Sequence, residues 1–156
     1  MKISTKGKYG LRAMIDLAQY SEQEAVSISS IAQRQKISES YLEQLVAKLK
    51  KAGLVVSIRG AAGGYRLARP ASGISVGDVL RALEGDVRAV ICTAQTEEGC
   101  EGEELCVTKY VWQRINESIE KTVDEMMIDQ LVAESRKAQE KAKNNDVDYS
   151  RNSCSG

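Results

Sequence analysis

The feature that most limits the fold of this chain is a pair of amphipathic helical segments joined by a short turn. A glycine-containing β-rich segment follows the pair directly. Ser27 is placed to cap the first of these helices, and Ser38 opens the second, which ends at Gly53. The second helix carries one apolar stripe at helical spacing: Leu42, Leu45, Val46 and Leu49. A helix–turn–helix of this kind is typical of proteins that insert a helix into the DNA major groove.

The stripe predicts which side chains of the second helix face outward. They are small, polar or basic: Ser40, Glu43, Gln44, Lys48 and Lys51. A further helix is expected before this pair, from about residue 8 to residue 20, where apolar residues recur at helical spacing. Three helices of this kind bury one core and leave one polar and basic face free for a partner.

The segment LVVSIRG-AAGG-YRLAR consists of two short β-rich runs around a loop with three glycines, which predicts a β-hairpin. Arg59 and Arg66 flank its tip, and Gly60 permits a close backbone approach to a surface. Alone, the pattern fits an ordinary hairpin with solvated arginines. Directly after a helix–turn–helix, it favours a wing whose arginine enters the minor groove.

Charge is divided unevenly along a chain whose net charge is zero. Residues 1–69 contain 12 Lys and Arg against 5 Asp and Glu, whereas residues 70–156 contain 10 against 17. The basic first half predicts a polyanionic partner, double-stranded DNA, although chance segregation of solvated charges is the alternative. The 156 residues hold no apolar run of membrane-spanning length and no secretory signal, so we expect no membrane contact and a cytoplasmic location.

Three cysteines, Cys92, Cys100 and Cys106, lie within fifteen residues of a chain that has no histidine. In a reducing compartment such a group favours metal binding or redox sensing over a structural disulfide. The C-x7-C-x5-C spacing suits an iron–sulfur cluster and is too open for an ordinary zinc knuckle. Zinc bound by three thiolates and a metal-free thiol switch remain the alternatives.

Helical patterns lie on both sides of this cysteine loop. Ser75 is expected to cap a short helix that ends at Gly85, and a helix resumes from Leu105. The second helix has an apolar stripe too long for a small domain to bury: Val111, Trp112, Ile115, Ile119, Val123 and Met126. We interpret the stripe as a homodimer interface, with packing onto its own domain as the alternative.

These patterns divide the chain into four parts. A winged helix–turn–helix head occupies residues 1–85, the cysteine loop residues 86–107 and a dimerisation helix region residues 108–142. Residues 143–156 are polar and expected to form a disordered tail. The fold class is therefore mainly α with a small β-hairpin, a winged head plus a long C-terminal dimerisation helix.

Several stretches of the chain resemble one known family. The opening KISTKGKYGLRAM, the segment ISESYLEQLVAKLKKAGLVVSIRGAAGGY, the run ISVGDVLRALEG and the three-cysteine loop with C-x5-C-x5-W are similar to IscR-type iron–sulfur cluster regulators among the Rrf-type winged-helix repressors. The resemblance covers about residues 1–130. It implies a homodimer joined through the long C-terminal helix and a [2Fe–2S] cluster on Cys92, Cys100 and Cys106.

The resemblance also implies which side chains contact DNA. On the recognition helix and wing they are Ser40, Tyr41, Glu43, Gln44, Arg59 and Gly60, and the reading of the helix from its own residues adds Ser38 and Lys48 to the predicted DNA contacts. Several of them already belong to the outward-facing set that the apolar stripe predicts, so both lines of reasoning select one surface.

One position departs from the family pattern. IscR-type regulators complete the cluster with a histidine three residues after the last cysteine, and here that position is Lys109. A lysine amine ligates only when deprotonated. Cys154, which lies in the tail, is the chemically better donor, and loop glutamates such as Glu101 or an outside ligand are further candidates.

Other functions have less support in the sequence. Without histidine, and without a nucleophile elbow, phosphate loop or recognisable carboxylate pair, no enzyme class is indicated. A cluster-free regulator of the CymR type, which shares the KISTKG opening and the SYLEQL helix, is the nearest alternative. A metal-handling or redox protein that uses the winged head to bind proteins is the alternative from another class.

Overall fold

The protein is described by a computed structural model over residues 2–91, 102 and 104–153. Within these residues the chain forms six helices and one two-stranded sheet: α1 Thr5–Tyr20, α2 Ile28–Gln35, α3 Glu39–Lys51, β1 Val55–Ile58, β2 Gly64–Leu67, α4 Val76–Glu84, α5 Thr108–Glu125 and α6 Ile128–Ser153. The predicted fold class, mainly α with a small β-hairpin, is confirmed.

Serine caps begin the helices of the head. Ser27 accepts a hydrogen bond from the backbone N–H of Ser30 at 3.1 Å, and Ser38 accepts one from Tyr41 at 3.2 Å. Both caps were predicted. α1 begins earlier than expected, because Ser4 caps it by accepting from the backbone N–H of Lys6. Each cap satisfies an N–H group that has no partner inside its helix.

The core lies where α1, α2, α3 and α4 meet. Met14 of α1, Leu42 of α3 and Val79 of α4 are fully buried in it. The apolar stripe predicted on α3 is buried along its whole length: Leu42, Leu45, Val46 and Leu49. Because this stripe is buried, the opposite face of α3 points toward solvent.

The hairpin is joined to the head by backbone pairing as well as by side chains. β1 and β2 pair antiparallel with Val55 opposite Leu67. Val26 and Tyr65 exchange two backbone hydrogen bonds of 2.8 Å, which attach β2 to the segment before α2. Gly64 makes this approach possible, because a Cβ atom there would lie 2.5 Å from the carbonyl oxygen of Val26.

The C-terminal half differs from the single long helix expected. The chain leaves helical geometry at Met126 and Met127, where Val76 donates to the Met126 carbonyl and Ile128 donates to the Ile74 carbonyl. Ile128 is then fully buried in the core of the head. α5 and α6 are therefore separate helices, and α6 continues to Ser153, past the start of the expected disordered tail at residue 143.

In the part of the chain that the structure describes, no helix is both long enough and apolar enough to cross a bilayer.

Candidate DNA interface and cysteine site

The outer face of α3 presents the polar side chains that the sequence predicted there. Ser40, Glu43, Gln44 and Lys48 are exposed. They lie opposite the buried stripe, on a helix whose last turn is basic. This face offers hydrogen-bond donors and acceptors together with positive charge, which is the combination used to read base edges and hold phosphates.

Two of the predicted DNA contacts have structural tasks as well. The hydroxyl of Ser38 is engaged in the α3 cap. Tyr41 is half-buried, and its ring packs edge-on against Tyr9 of α1 with the ring centroids 6.1 Å apart. Its hydroxyl donates toward Thr5 at 3.4 Å. α1 therefore supports the start of α3, a role for Tyr9 that the helical stripe of α1 did not reveal.

The wing places Arg59 at the turn after β1, where its side chain is exposed. Gly60 has a φ of +107°, and its carbonyl accepts from the backbone N–H of Gly63 at 3.0 Å, which closes the turn. Lys50 of α3 donates to the Ser57 hydroxyl of β1 at 2.9 Å. This bond between helix and strand was not predicted, and it helps to set the orientation of the wing relative to α3.

Cys106 lies two residues before the start of α5 and is half-buried. Its sulfur lies 3.2 Å from the Thr108 hydroxyl. The pKa of the Cys106 thiol is below its usual range, because the Thr108 hydroxyl and then the backbone N–H of Lys109 bond to the sulfur. Hydrogen bonds at a helix N-terminus favour the thiolate, the form that binds metals.

The other cysteines, Cys92, Cys100 and Cys154, lie outside the described residues, as do the loop acids Glu101 and Glu103. Convergence of the three predicted ligands is thus not tested. Among the residues that are described, no three Cys, Asp or Glu side chains are grouped closely enough to hold a metal ion.

Lys109, the candidate fourth ligand, is the second residue of α5. Its Nζ lies 5.4 Å from the centroid of the Tyr110 ring. The lysine is therefore on the same helical turn that follows Cys106, at the position expected from the sequence. Whether it ligates remains a prediction.

A buried asparagine that sequence reasoning missed holds the entrance to the cysteine loop. Asn116 of α5 is 4% exposed. Its Oδ1 accepts from the backbone N–H groups of Ala89 and Val90 at 2.9 and 3.2 Å, and its Nδ2 donates to the Val90 carbonyl at 2.7 Å. The signal available in the sequence was an amide directly beside Ile115 of the apolar stripe.

The apolar stripe of α5 is only partly covered within one chain. Val111 is 49% exposed, and Ile115 and Met126 are each 38% exposed. Ile119 and Val123 are half-buried. A single copy thus leaves much of this stripe in solvent.

Comparisons with known proteins agree with this architecture. A family model named Rrf2, described as "Iron-dependent Transcriptional regulator", matches residues 3–134. The chain belongs to the Rrf2 family. It is similar to the HTH-type transcriptional regulator IscR of Yersinia enterocolitica, with 42% identity over 132 residues that cover 85% of this chain and 79% of the relative.

Two solved structures extend the likeness to three dimensions. T. potens IscR shares 45% identity and a TM-score of 0.71, covering 89% of this chain and 91% of that one. CymR, the global cysteine regulator of B. subtilis, shares 41% identity and the same TM-score of 0.71, covering 85% and 97%. This member of the Rrf2 family is therefore a transcriptional regulator, and its named relatives are regulators rather than enzymes.

Proposed function

We propose that this protein is a homodimeric DNA-binding regulator whose operator binding is modulated by an iron–sulfur cluster, of the [2Fe–2S] type, held by Cys92, Cys100 and Cys106. α3 reads the major groove, and Arg59 and Gly60 of the wing contact the minor groove. The exposed stripe of α5 joins two copies, so that two heads face a roughly palindromic operator.

The placement of Cys106 carries the cluster proposal. Its thiol stands at the N-terminal end of α5, where the Thr108 hydroxyl and a backbone N–H group favour the thiolate. Thiolates are the usual protein ligands of iron–sulfur clusters. Three thiolates in one loop fit such a cluster, with Lys109, Cys154, a loop glutamate or an outside donor as the fourth ligand, and the matched family is described as iron-dependent.

When bound, the cluster would be a centre that assembles when iron is available and is lost on oxidation. The contacts of the chain's own residues link this site to the DNA-binding head. Cys106 is joined directly to α5, which packs on α4 through the ion pair of Arg81 with Asp124 at 2.7 Å. α4 in turn packs against α1 and α3 of the head. Ligation at Cys106 thus acts on a helix that is linked to the DNA-reading elements.

Anaerobic reconstitution of the full chain tests this proposal. The expected product is coloured, with iron and sulfide in equal amounts, and each Cys→Ala change at Cys92, Cys100 or Cys106 removes or severely weakens the colour. Cys154→Ala removes the cysteine outside the three-cysteine loop and tests separately whether the tail thiol supplies the fourth ligand. If the product is colourless and contains zinc, the site is a structural zinc site and the cluster proposal is wrong.

The similarity to CymR supports a second candidate, a regulator that works without a cluster. CymR of B. subtilis matches this chain about as well as T. potens IscR does, in both identity and TM-score. In that case the cysteines serve as a thiol switch. The reconstituted protein would then hold neither iron nor zinc, and mild oxidation of its thiols would change DNA binding.

Glu43 provides a test of the proposed reading face. A carboxylate near DNA phosphates is repelled, yet it can accept a hydrogen bond from the amino group of cytosine. We expect Glu43→Ala to bind non-operator DNA as well or better and to discriminate less between operator and non-operator sequences. Glu24→Ala removes an exposed carboxylate between α1 and α2 and is the control. A Glu43→Ala protein that binds more weakly with unchanged selectivity would contradict base reading.

A further inference from the structure

Asn116 is the most completely bonded buried polar side chain near the proposed cluster site. It is 4% exposed, and its amide makes three hydrogen bonds, all to backbone groups of Ala89 and Val90. An amide that is both donor and acceptor to one residue, as with Val90, holds that residue in both position and orientation. Loss of the amide would remove these partners from three part-buried backbone groups.

The segment that leads to this contact is fixed independently of Asn116. Val87 is 2% exposed and packs with Val76 and Leu80 of α4. Asp86 and Arg88 form a local ion pair, and the Asp86 carboxylate also accepts from the backbone N–H of Arg88 at 2.8 Å. The chain is therefore held from the end of α4 as far as Val90, and Asn116 is the last contact of this series.

The contact holds the chain directly before the first proposed ligand. Cys92 follows Val90 by only two residues in the sequence. Thr108 and Asn116 are both on α5, about 12 Å apart along its axis at 1.5 Å per residue. Cys106 therefore lies just before the start of α5. The same helix, about two turns further on, holds the segment that leads to Cys92 in the sequence.

We propose that Asn116 is a positioning residue for the cluster site, which holds the entrance of the cysteine loop on α5 so that Cys92 is presented to the same site as Cys106. This inference rests on the proposed function. Residues that orient ligands without touching the metal commonly change metal affinity by about 10–100-fold when they are altered. Asn116 acts through the backbone of Ala89 and Val90.

Three variants separate positioning from simple stabilisation. Asn116→Ala removes all three hydrogen bonds. Asn116→Asp retains an acceptor for the two N–H groups and loses the donor to the Val90 carbonyl, so it should be intermediate. Gln113→Ala is the matched control on α5, since Gln113 is exposed and bonds only to Glu117 at 2.8 Å among the contacts described.

Two readouts are needed, one on the apoprotein and one on the loaded protein. Hydrogen exchange of the apoprotein should show faster exchange at Ala89 and Val90 in Asn116→Ala, with the rest of the head protected as in wild type. After anaerobic reconstitution, loss of the cluster to a chelator should be about tenfold faster in Asn116→Ala than in wild type. Gln113→Ala should match wild type in both measurements.

The outcomes distinguish this inference from the proposed function. Faster exchange at Ala89 and Val90 with an unchanged cluster lifetime would overturn the positioning role and leave Asn116 as a stabilising residue. If Asn116→Ala does not fold, Asn116→Asp decides, because a wild-type lifetime in that variant would overturn the role. Wild-type protein that takes up no iron and sulfide would overturn the proposed function and the positioning role together, whereas hydrogen exchange would still establish the backbone clamp.

Discussion

Glu84, at the end of α4, accepts two hydrogen bonds from Ser4, one from its backbone N–H at 3.0 Å and one from its hydroxyl at 2.5 Å. The same carboxylate oxygen accepts from the backbone N–H of Gly7 at 3.0 Å. A Cβ atom at Gly7 would lie 2.7 Å from this oxygen, so a side chain at this position would displace it. The carboxylate thus joins the start of the first helix to the end of α4, just before the cysteine loop.

Glu84→Gln should lower the free energy of unfolding by about 1–2 kcal/mol at neutral pH, because hydrogen bonds to a charged acceptor become bonds to a neutral one. The pKa of Glu84 is lowered by the Ser4 hydroxyl first, and then by the backbone N–H groups of Gly7 and Ser4 and the charge of Lys6. Because the pKa of Glu84 is lower in the folded state, its charged carboxylate stabilises the folded protein at pH values above the unfolded-state pKa of about 4.3.

The difference in unfolding free energy between wild type and Glu84→Gln should therefore shrink as the pH falls below about 4.3 and through the folded-state pKa. Urea denaturation between about pH 3 and pH 7 measures it. Glu24→Gln, a change at an exposed carboxylate between α1 and α2, is the control. A difference that stays constant over this range would mean that the Glu84 charge contributes nothing.

A second prediction concerns the buried carboxylate of Asp16, whose side chain is 1% exposed. It accepts from two Arg34 nitrogens, Nε at 2.9 Å and Nη2 at 2.7 Å, and from the Gln35 amide at 2.9 Å. Asp16→Asn leaves the guanidinium without its counter-charge. Because Arg34 is one third exposed, we expect a cost of about 2–3 kcal/mol, below the range for fully buried pairs.

Asp124→Asn is the comparison for Asp16→Asn, because it breaks the ion pair with Arg81, in which both side chains are substantially exposed. It should cost less than about 1 kcal/mol. Thermal or urea unfolding of both variants gives the ranking. Equal losses would show that burial of Asp16 does not strengthen its pair.

The local features of this fold were predictable, and its long-range contacts were not. Ser27 and Ser38 could be recognised as caps because a cap depends on a few neighbouring residues. The break before Ile128 could not, because it depends on backbone bonds to Ile74 and Val76, some fifty residues earlier in the chain. Helical periodicity runs through such a break and predicts one continuous helix.

The candidate site shows the same division. The exposed face of α3 followed from its buried stripe, since the two faces of a helix are complementary. Asn116 stands beside the apolar stripe in the sequence, but its role was not predictable because its three partners are backbone groups, which carry no sequence signal. Tyr9 was hidden for a related reason, since its contact with Tyr41 depends on how α1 and α3 pack.

A third prediction tests the wing. Arg59→Ala should weaken operator binding by about 1–3 kcal/mol and leave the fold intact, because Arg59 is exposed and lies on a turn held by backbone bonds. A salt-controlled titration of operator DNA measures the loss. Lys121→Ala removes an equal charge from α5 and should change the affinity little. Operator affinity equal to that of wild type would exclude Arg59 from the minor groove.

A fourth prediction concerns assembly. Ile119→Glu introduces a charge into the half-buried apolar stripe of α5 and should convert dimers into monomers, since an unpaired charge is costly to bury in an apolar interface. Gln113→Glu places the same charge on the exposed polar face and should leave the dimer intact. Sedimentation velocity distinguishes the two states. A dimer in both variants would place the interface elsewhere.

The last prediction concerns Lys109, which stands in the first turn of α5, three residues after Cys106. If its amine is the fourth ligand, Lys109→His should retain the cluster with an altered absorption spectrum, because an imidazole replaces the amine at the same position. Lys109→Ala should then lose the cluster faster. If both variants match wild type in spectrum and cluster half-life, lysine ligation is wrong. In that case the spectrum of Cys154→Ala decides next, since a change there would identify the tail thiol as the ligand, and no change would leave a loop glutamate or an outside ligand.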